Sequence, residues 1–415
     1  MFLCGKNLKR LTFALAATLT LWWAGVLPPS ACAEEIAAPH DGWTSSLSGE
    51  VCLPASGDTV AASPPSVSAK AAVLMEAQSG EVIFEKNPDA SLPMASTTKI
   101  MTALVALEQI SPKTVVTVPP EAVGIEGSSV YLNAGEKLTV EELLYALLLA
   151  SANDAAVAIA VAVGGSVEAF AELMNRKAAA LGLTETHFVN PHGLDAEGHR
   201  TTARELAVIA RAALENPAFR EICSTRRKAI PKDGAENGRW LLNHNKLLNM
   251  YPDCIGVKTG YTKKTGRCLV SAAEREGLTL IAVTLGAPDD WRDHTAMLDY
   301  GFLRYTSVTL CDEEFFSAPL PVVAGDREYI MAENTASLTI SLPRDHGPIR
   351  CVVELPRFEF APISAGSAVG RLVFYEAMGQ GSLRELGSVP LTAVYGVGAA
   401  TFRYDLWGAI KALFS

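Results

Sequence analysis

The chain has 415 residues, 49% of them apolar and 19% charged, with a formal net charge of −10. This apolar content excludes an intrinsically disordered protein, which combines few apolar residues with many charges. The acidic balance excludes a nucleic-acid binder, which needs clustered Lys and Arg to neutralise phosphates. At about 150 residues per domain, the length allows two or three domains with a sizeable core.

Lys6, Lys9 and Arg10 precede an apolar run from Leu11 to Leu27, and Ala31-Cys32-Ala33 supplies a small-x-small cleavage site before Glu34-Glu35. The pattern predicts a secretory signal peptide over residues 1–33 and an exported chain. The alternative is a retained anchor helix, for which the run lies at the lower edge of a spanning length. Lipoprotein cleavage at Cys32 is disfavoured by Pro29, which stands where such sites want Leu. Cys4 and Cys32 leave with this segment. Cys52, Cys223, Cys254, Cys268, Cys311 and Cys351 are scattered without CxxC spacing, so neither zinc nor dithiol chemistry is indicated. Disulfides are permitted outside the cytoplasm but not required at this length, and the spacing dictates no pairing.

Residues 34–70, rich in Ala, Ser, Pro and Gly, read as a tether. Ala71–Glu76 and Glu81–Glu85 form a hairpin signal around Ser79-Gly80. Thr97–Ile110 is apolar almost all round, which predicts a helix buried inside a domain. Thr139 with Glu142 makes a capping box before Leu143–Ala150, and Ala155–Val163 follows, so two helices meet near Ser151–Asp154. Ser166–Leu181 is amphipathic, and Thr202 with Glu205 caps a helix ending near Glu215. Asp253–Gly260, Arg267–Ala273 and Leu278–Leu285 predict an antiparallel meander, and Thr295–Tyr305 a closing helix. Between Cys311 and Val397 the signals are β only. Leu338, Ile340 and Leu342 alternate with polar residues, and so do Ile349, Cys351, Val353 and Leu355. This predicts a separate all-β domain over 309–397, after a first domain over 71–308. In 398–415, Phe402, Leu406, Trp407, Ile410, Leu413 and Phe414 share one helical face. That suits a membrane-interface helix, or else a helix docked on the β domain.

Three short motifs carry chemistry. In Ser96-Thr97-Thr98-Lys99, a serine and a lysine three apart on a helix share a face. A serine hydroxyl needs a neighbouring base, and Lys99 can serve only when desolvation or a second cation keeps it neutral. Free N–H groups at the helix start favour developing negative charge there. Alone the motif is weak, since about one such spacing arises by chance in a chain this long. Ser151-Ala152-Asn153 breaks two apolar helices. It reads as a loop with a cap at Asn153, or as a proton-relaying hydroxyl with an amide that holds substrate. Lys258-Thr259-Gly260 ends a strand-like run. There a cation and a hydroxyl can grip a carboxylate, a glycine admits close approach, and Lys258 can depress the pKa of Lys99. Lys264-Thr265-Gly266 repeats the tripeptide but follows a turn-like stretch, so the first copy is preferred.

Together the motifs are those of β-lactamases and penicillin-binding proteins. Over about residues 68–397 the chain more closely resembles the serine-type D-alanyl-D-alanine carboxypeptidases, the low-molecular-mass penicillin-binding proteins. Pro93–Lys99, Asn153-Asp154, Asn190-Pro191-His192-Gly193-Leu194 and Gly256–Gly260 carry the likeness. The resemblance implies an α+β (α/β) penicillin-binding-protein-like domain, with an antiparallel sheet flanked by helices, and a small all-β C-terminal domain. It implies a bacterial enzyme on the outer face of the cytoplasmic membrane, held there by the C-terminal helix, with no cofactor and no metal. It further implies that Ser96 attacks the D-Ala-D-Ala bond of a peptidoglycan stem peptide and that Lys99 takes its proton. Backbone N–H groups of Ser96 and Tyr261 would form the oxyanion hole and Ser151 would relay protons. Asn153 would hold the substrate amide, Lys258, Thr259 and Gly260 would receive the terminal carboxylate, and β-lactams would acylate Ser96. The chain departs from the family at Ala152, where Gly is usual.

Three rival readings are weaker. A β-lactamase would place a deacylating Glu four residues before an Asn, whereas Glu185 and Asn190 are five apart with Val189 between. His187, His192, His199, Asp195 and Glu197 cluster, but without the spacing of a zinc peptidase. A catalytically silent wall-binding protein has no need of a buried lysine beside a serine. Arg292 reads as an exposed arginine.

Overall fold

The computed structural model describes residues 51–53, 63–232, 238–378 and 381–400. The expected signal peptide and the expected amphipathic face from Phe402 onward lie outside them. The described chain divides into two compact units, one of 63–307 with 341–344 and one of 51–53, 308–340 and 345–400.

The first unit is built on an antiparallel sheet of β1 (Ala71–Glu76), β2 (Val82–Lys86), β3 (Cys254–Thr262), β4 (Gly266–Arg275) and β5 (Leu278–Leu285), in the order β2-β1-β5-β4-β3. Val73 lies opposite Val283 across the β1–β5 pair. Successive side chains on a strand point to opposite faces. Ala71, Val73, Met75, Ile281 and Val283 therefore enter one apolar cluster, while Ala72, Leu74, Leu280 and Ala282 enter another. Both faces are covered, which is why these strands read as continuous apolar runs rather than as an alternation.

On one face lie α1 (Lys99–Gln109), α2 (Val140–Leu149), α3 (Asn153–Gly164), α4 (Val167–Ala180), α5 (Ala203–Leu214) and α6 (Pro217–Ser224). The face opposite packs Met297, Leu298 and Phe302 of α7 (Asp290–Arg304). Helix α1 is buried on every side from Ile100 to Ala106. Both halves of the Thr139–Glu142 capping box form, and Ser166 and Thr202 cap α4 and α5. Two of these helices depart from the sequence reading. Helix α7 starts at Asp290, not Thr295, because Asp290 and Asp293 place negative charge in its first turn, where the helix dipole favours it. Helix α6 was not expected, although Asn216 caps it and Pro217 occupies its first turn.

The second unit is all β. Its seven-stranded sheet runs Val51–Leu53, Ile349–Glu354, Ala368–Ala377, Leu383–Ala393, Tyr329–Asn334, Ser317–Val323 and Glu359–Phe360. The first strand comes from the stretch read as tether, where Val51 pairs with Cys351. Val67 and Ala69, from the same stretch, are buried in the first unit. Short β-prone runs among Ser, Pro and Gly were too brief to register as elements. Cys223, Cys254, Cys268, Cys311 and Cys351 are all free thiols.

Inside the first unit His294 of α7 is fully buried, with Nδ1 2.6 Å from the Ser271 hydroxyl and Nε2 2.9 Å from that of Thr284. Burial pushes its pKa down from 6.5 to about 3. The folded state thus binds fewer protons than the unfolded one, so this group's stability is whole above pH 6.5 and is lost as pH falls toward 3. We expect the melting temperature of His294→Gln to fall less steeply from pH 6.5 to 4 than that of the parent. Parallel profiles would show that His294 does not titrate with unfolding.

Candidate active site

Ser96 does not sit in the first turn of an α-helix. It lies on a 3₁₀ turn, Ala95–Thr98, and α1 begins at Lys99. Residues i and i+3 eclipse in a 3₁₀ turn, which stacks the lysine over the serine more closely than an α-helix would. The Thr97 and Thr98 hydroxyls bond back to the Met94 and Ala95 carbonyls at 2.6 and 2.8 Å, which holds the tighter winding. Ala95 has a left-handed φ of 48°.

Lys99 is 0% exposed. Burial, then the nearby Lys258 charge, holds its pKa well below the ordinary lysine range, against the pull of Asp154. A neutral amine has two N–H groups and one lone pair. Asn153 Oδ1 accepts at 2.7 Å and the His192 carbonyl at 2.5 Å. The lone pair remains for the Ser96 hydroxyl, 3.0 Å away. A hydroxyl and an amine of lowered pKa in this contact can act as nucleophile and base.

Asn153 is the first residue of α3, not a cap, and Ala152 precedes it as N-cap. Its Nδ2 donates to the Glu126 carbonyl at 2.6 Å, which orients the amide with its oxygen on Lys99. Ser151, 4% exposed, takes the left-handed conformation with φ 59°. Ala152 has φ −61° and ψ 118°, open to any L-residue, so a methyl in place of hydrogen there meets no conformational obstacle.

On β3, Gly260 passes the nucleophile's turn so closely that an added Cβ would lie 3.1 Å from the Ser96 nitrogen and 3.2 Å from Ala95 Cβ. Lys258 is 1% exposed and donates to the Thr259 carbonyl at 2.8 Å. Burial lowers its pKa to about 7. Thr259 is half-exposed. The structure thus brings Ser96, Lys99 and Asn153 into direct contact and Gly260 against Ser96, couples Lys258 to Lys99 through charge, and sets Ser151 two residues before Asn153. The repeated Lys264-Thr265-Gly266 falls at the β3–β4 turn with Lys264 exposed, and Arg292 is exposed too.

Several supporting residues had no role assigned to them from the sequence. Asn190 Oδ1 accepts from the Gly193 N–H at 2.7 Å, and Gly193, at φ 87°, packs where a Cβ would stand 2.0 Å from the Ala95 carbonyl oxygen. Asp154 accepts from the Ser129 hydroxyl and from the Val130 and Leu132 N–H groups, which fixes the loop behind Asn153. Arg239 pairs with Glu136 inside the protein and also donates to the Val130 and Tyr131 carbonyls.

The histidine cluster disperses. His187 is exposed, and no group of three or more His, Cys, Asp or Glu among the described residues could hold a metal ion. His199 is buried, its pKa lowered to about 4 chiefly by burial. Its Nδ1 accepts from the Val189 N–H at 3.0 Å, so Nε2 carries the proton and donates to the Thr98 hydroxyl at 2.8 Å. The Thr98 hydroxyl donates in turn to the Ala95 carbonyl, so an ordered chain of hydrogen bonds ends on the residue before Ser96. Glu185 is exposed, and Asn190 is engaged in its own turn, not in a glutamate–asparagine pair.

A buried lysine of lowered pKa bonded to a half-buried serine can support serine acyl transfer. Residues 58–289 match the family described as D-alanyl-D-alanine carboxypeptidase. The D-alanyl-D-alanine carboxypeptidase DacF of Bacillus subtilis is 34% identical over 315 residues, 74% of this chain and 81% of DacF. DacC of Escherichia coli, of the same description, is 33% identical over 75% of this chain and 80% of its own. Penicillin binding protein 5 from Haemophilus influenzae superposes with a TM-score of 0.63 at 27% identity, over 81% of this chain and 99% of that one. The Streptomyces K15 DD-transpeptidase superposes at 0.56 with 34% identity, over 58% and 99%. The chain belongs to the D-alanyl-D-alanine carboxypeptidase family of serine hydrolases, with the fold of the penicillin-binding proteins.

His199→Leu, which breaks the chain of hydrogen bonds to Ala95, should lower the acylation rate by penicillin about tenfold, with His199→Gln recovering most of it through its amide donor. Pre-steady-state labelling checks this. Equal losses in the two variants, or a loss confined to initial binding, would remove His199 from nucleophile positioning.

Proposed function

We propose that the chain removes the terminal D-alanine from peptidoglycan stem peptides through an acyl-enzyme on Ser96. The observation that carries this reading is the Lys99 amine, with both N–H groups engaged and its lone pair left for the Ser96 hydroxyl. Lys99 takes the proton as Ser96 Oγ attacks the carbonyl between the two terminal D-alanines. The backbone N–H groups of Ser96 and Tyr261 stabilise the oxyanion, as the family likeness implies. The C–N bond breaks, D-alanine leaves with a proton relayed by Ser151, and water then releases the shortened peptide. Asn153 holds the substrate amide. The Thr259 hydroxyl meets the terminal carboxylate, and the charge of Lys258, buried under that strand, attracts it. Gly260 keeps the strand close enough for this contact. A β-lactam would acylate Ser96 by the same attack.

Export rests on the signal-peptide pattern of residues 1–33. Attachment to the outer face of the cytoplasmic membrane rests on the apolar face shared by Phe402, Leu406, Trp407, Ile410, Leu413 and Phe414.

Ser96→Ala should abolish both covalent penicillin labelling and release of D-alanine from an acylated Lys-D-Ala-D-Ala tripeptide, with its melting temperature unchanged. Labelling that survives would place the nucleophile elsewhere. The pH dependence separates the two lysines. Below about pH 7 Lys258 is the ammonium and above it the amine, so its attraction for the carboxylate is present at low pH and fades as pH rises. KM should climb above pH 7 while kcat holds, and Lys258→Arg, which stays charged, should flatten that rise. If KM climbs equally in Lys258→Arg, the carboxylate owes nothing to this charge.

A further inference from the structure

In the second unit the sheet ends on a two-residue edge strand, Glu359–Phe360, whose Phe360 lies beside Val323 of the neighbouring strand in parallel pairing. Phe358 and Phe360 stack edge to face, centroids 5.4 Å apart. Both are exposed, Phe360 at 63%, with Val323 at 41% and Tyr329 at 49% on the adjoining strands. Exposed aromatic pairs on a sheet edge are a liability in water and call for a partner.

The chain leaves the described structure at this same edge. Ala399 bridges to Gly325 and the Ala400 N–H donates to the Ala324 carbonyl at 2.8 Å, one residue from Val323. The first apolar residue of the amphipathic segment, Phe402, follows two positions later. Two extended residues reach about 7 Å, less than the width of one helix. A segment lying in the membrane interface from Phe402 onward therefore draws this edge into the headgroup region.

We propose that the edge carrying Phe358, Phe360 and Val323 is a second lipid-binding surface, inserting its aromatic rings into the outer leaflet beside the C-terminal segment. This rests on the membrane reading of residues 402–414 given above. Phe, unlike Lys, enters the interface without electrostatic help, and the flanking residues agree. Asp326, Glu328 and Glu359 outnumber Arg327 and Arg357 around the rings, so attachment here is apolar and largely indifferent to salt. The two anchors also explain each other. One amphipathic helix of this length binds a bilayer reversibly, and a second apolar contact on a short leash acts at high effective concentration.

The test is partitioning of the full chain, purified in detergent, onto phosphatidylethanolamine–phosphatidylglycerol vesicles, with penicillin labelling as the check on folding. Phe358→Ser/Phe360→Ser should weaken partitioning about tenfold, equally at low and high salt, while labelling is retained. Trp407→Ser tests the underlying reading on its own. If Trp407→Ser detaches the chain but the double variant binds like the parent, the second surface is refuted and the anchor stands. If the parent itself does not bind vesicles, both readings fail. Tighter binding by the double variant would mean that residues 402–414 cover the edge in the parent, which also overturns the proposal.

Discussion

A lysine with no exposed surface has to be paired with an anion or give up its proton, because an isolated ammonium cannot be held in so poor a solvent. At this site the second course is imposed. Among the described residues no carboxylate bonds to Lys99 Nζ, whose partners are an amide oxygen, a backbone carbonyl and a hydroxyl. The charge that lowers its pKa beside burial is another buried lysine, Lys258. Asp154, which would favour the charged form, is instead occupied with the hydroxyl and N–H groups of its neighbouring loop. The lowered pKa of Lys99 is thus chiefly a property of the apolar bundle around α1, not of any one contact.

The rest of the unit places a hydroxyl on that amine. A 3₁₀ turn stacks residue 96 over residue 99, and such turns are short-lived unless fixed from outside. Here the fixing groups converge on one carbonyl, that of Ala95. It accepts from the Thr98 hydroxyl, which His199 orders, and Gly193 lies against it. Neutral His199 serves this purpose where a charged one would not, because its Nδ1 must stay an acceptor for the Val189 N–H. Burial that lowers the pKa of the lysine also lowers that of the histidine, so one physical cause acts on both.

Where a residue's environment agrees with its type, the sequence was enough. The apolar runs of α1, β1 and β5, the caps at Thr139 and Thr202 and the Ser–Lys spacing are all legible, since each is a local pattern with a local cause. The ribbon Arg227–Ile230 with Arg239–Leu242 was not. Along it Arg239 is buried and Trp240 is 69% exposed, the reverse of any binary pattern. Arg239 is inside because Glu136 and the Val130 and Tyr131 carbonyls, more than a hundred residues away in sequence, supply most of its partners. His199 escaped notice for the same reason. Among nearby histidines and acids it looked like one more polar loop residue, and only the fold brings it to Thr98. Non-local satisfaction of polar groups leaves no periodic trace.

The alanine at 152 shows how a motif departure should be weighed. A glycine in such a loop suggests a backbone that needs left-handed freedom, and a side chain there would be a defect. In this chain the left-handed residue is Ser151, while Ala152 occupies an ordinary extended conformation as N-cap of α3. A serine can hold a positive φ at modest cost when the structure on both sides over-determines it. Both sides do so here. The Ala152 N–H bonds to Ala146 in α2, and the Asn153 N–H to Ser128 in the facing loop. The strain lies on the hydroxyl-bearing residue itself, at the break between two apolar helices. Substituting glycine at 152 would relieve nothing, because no conformational demand falls on that position.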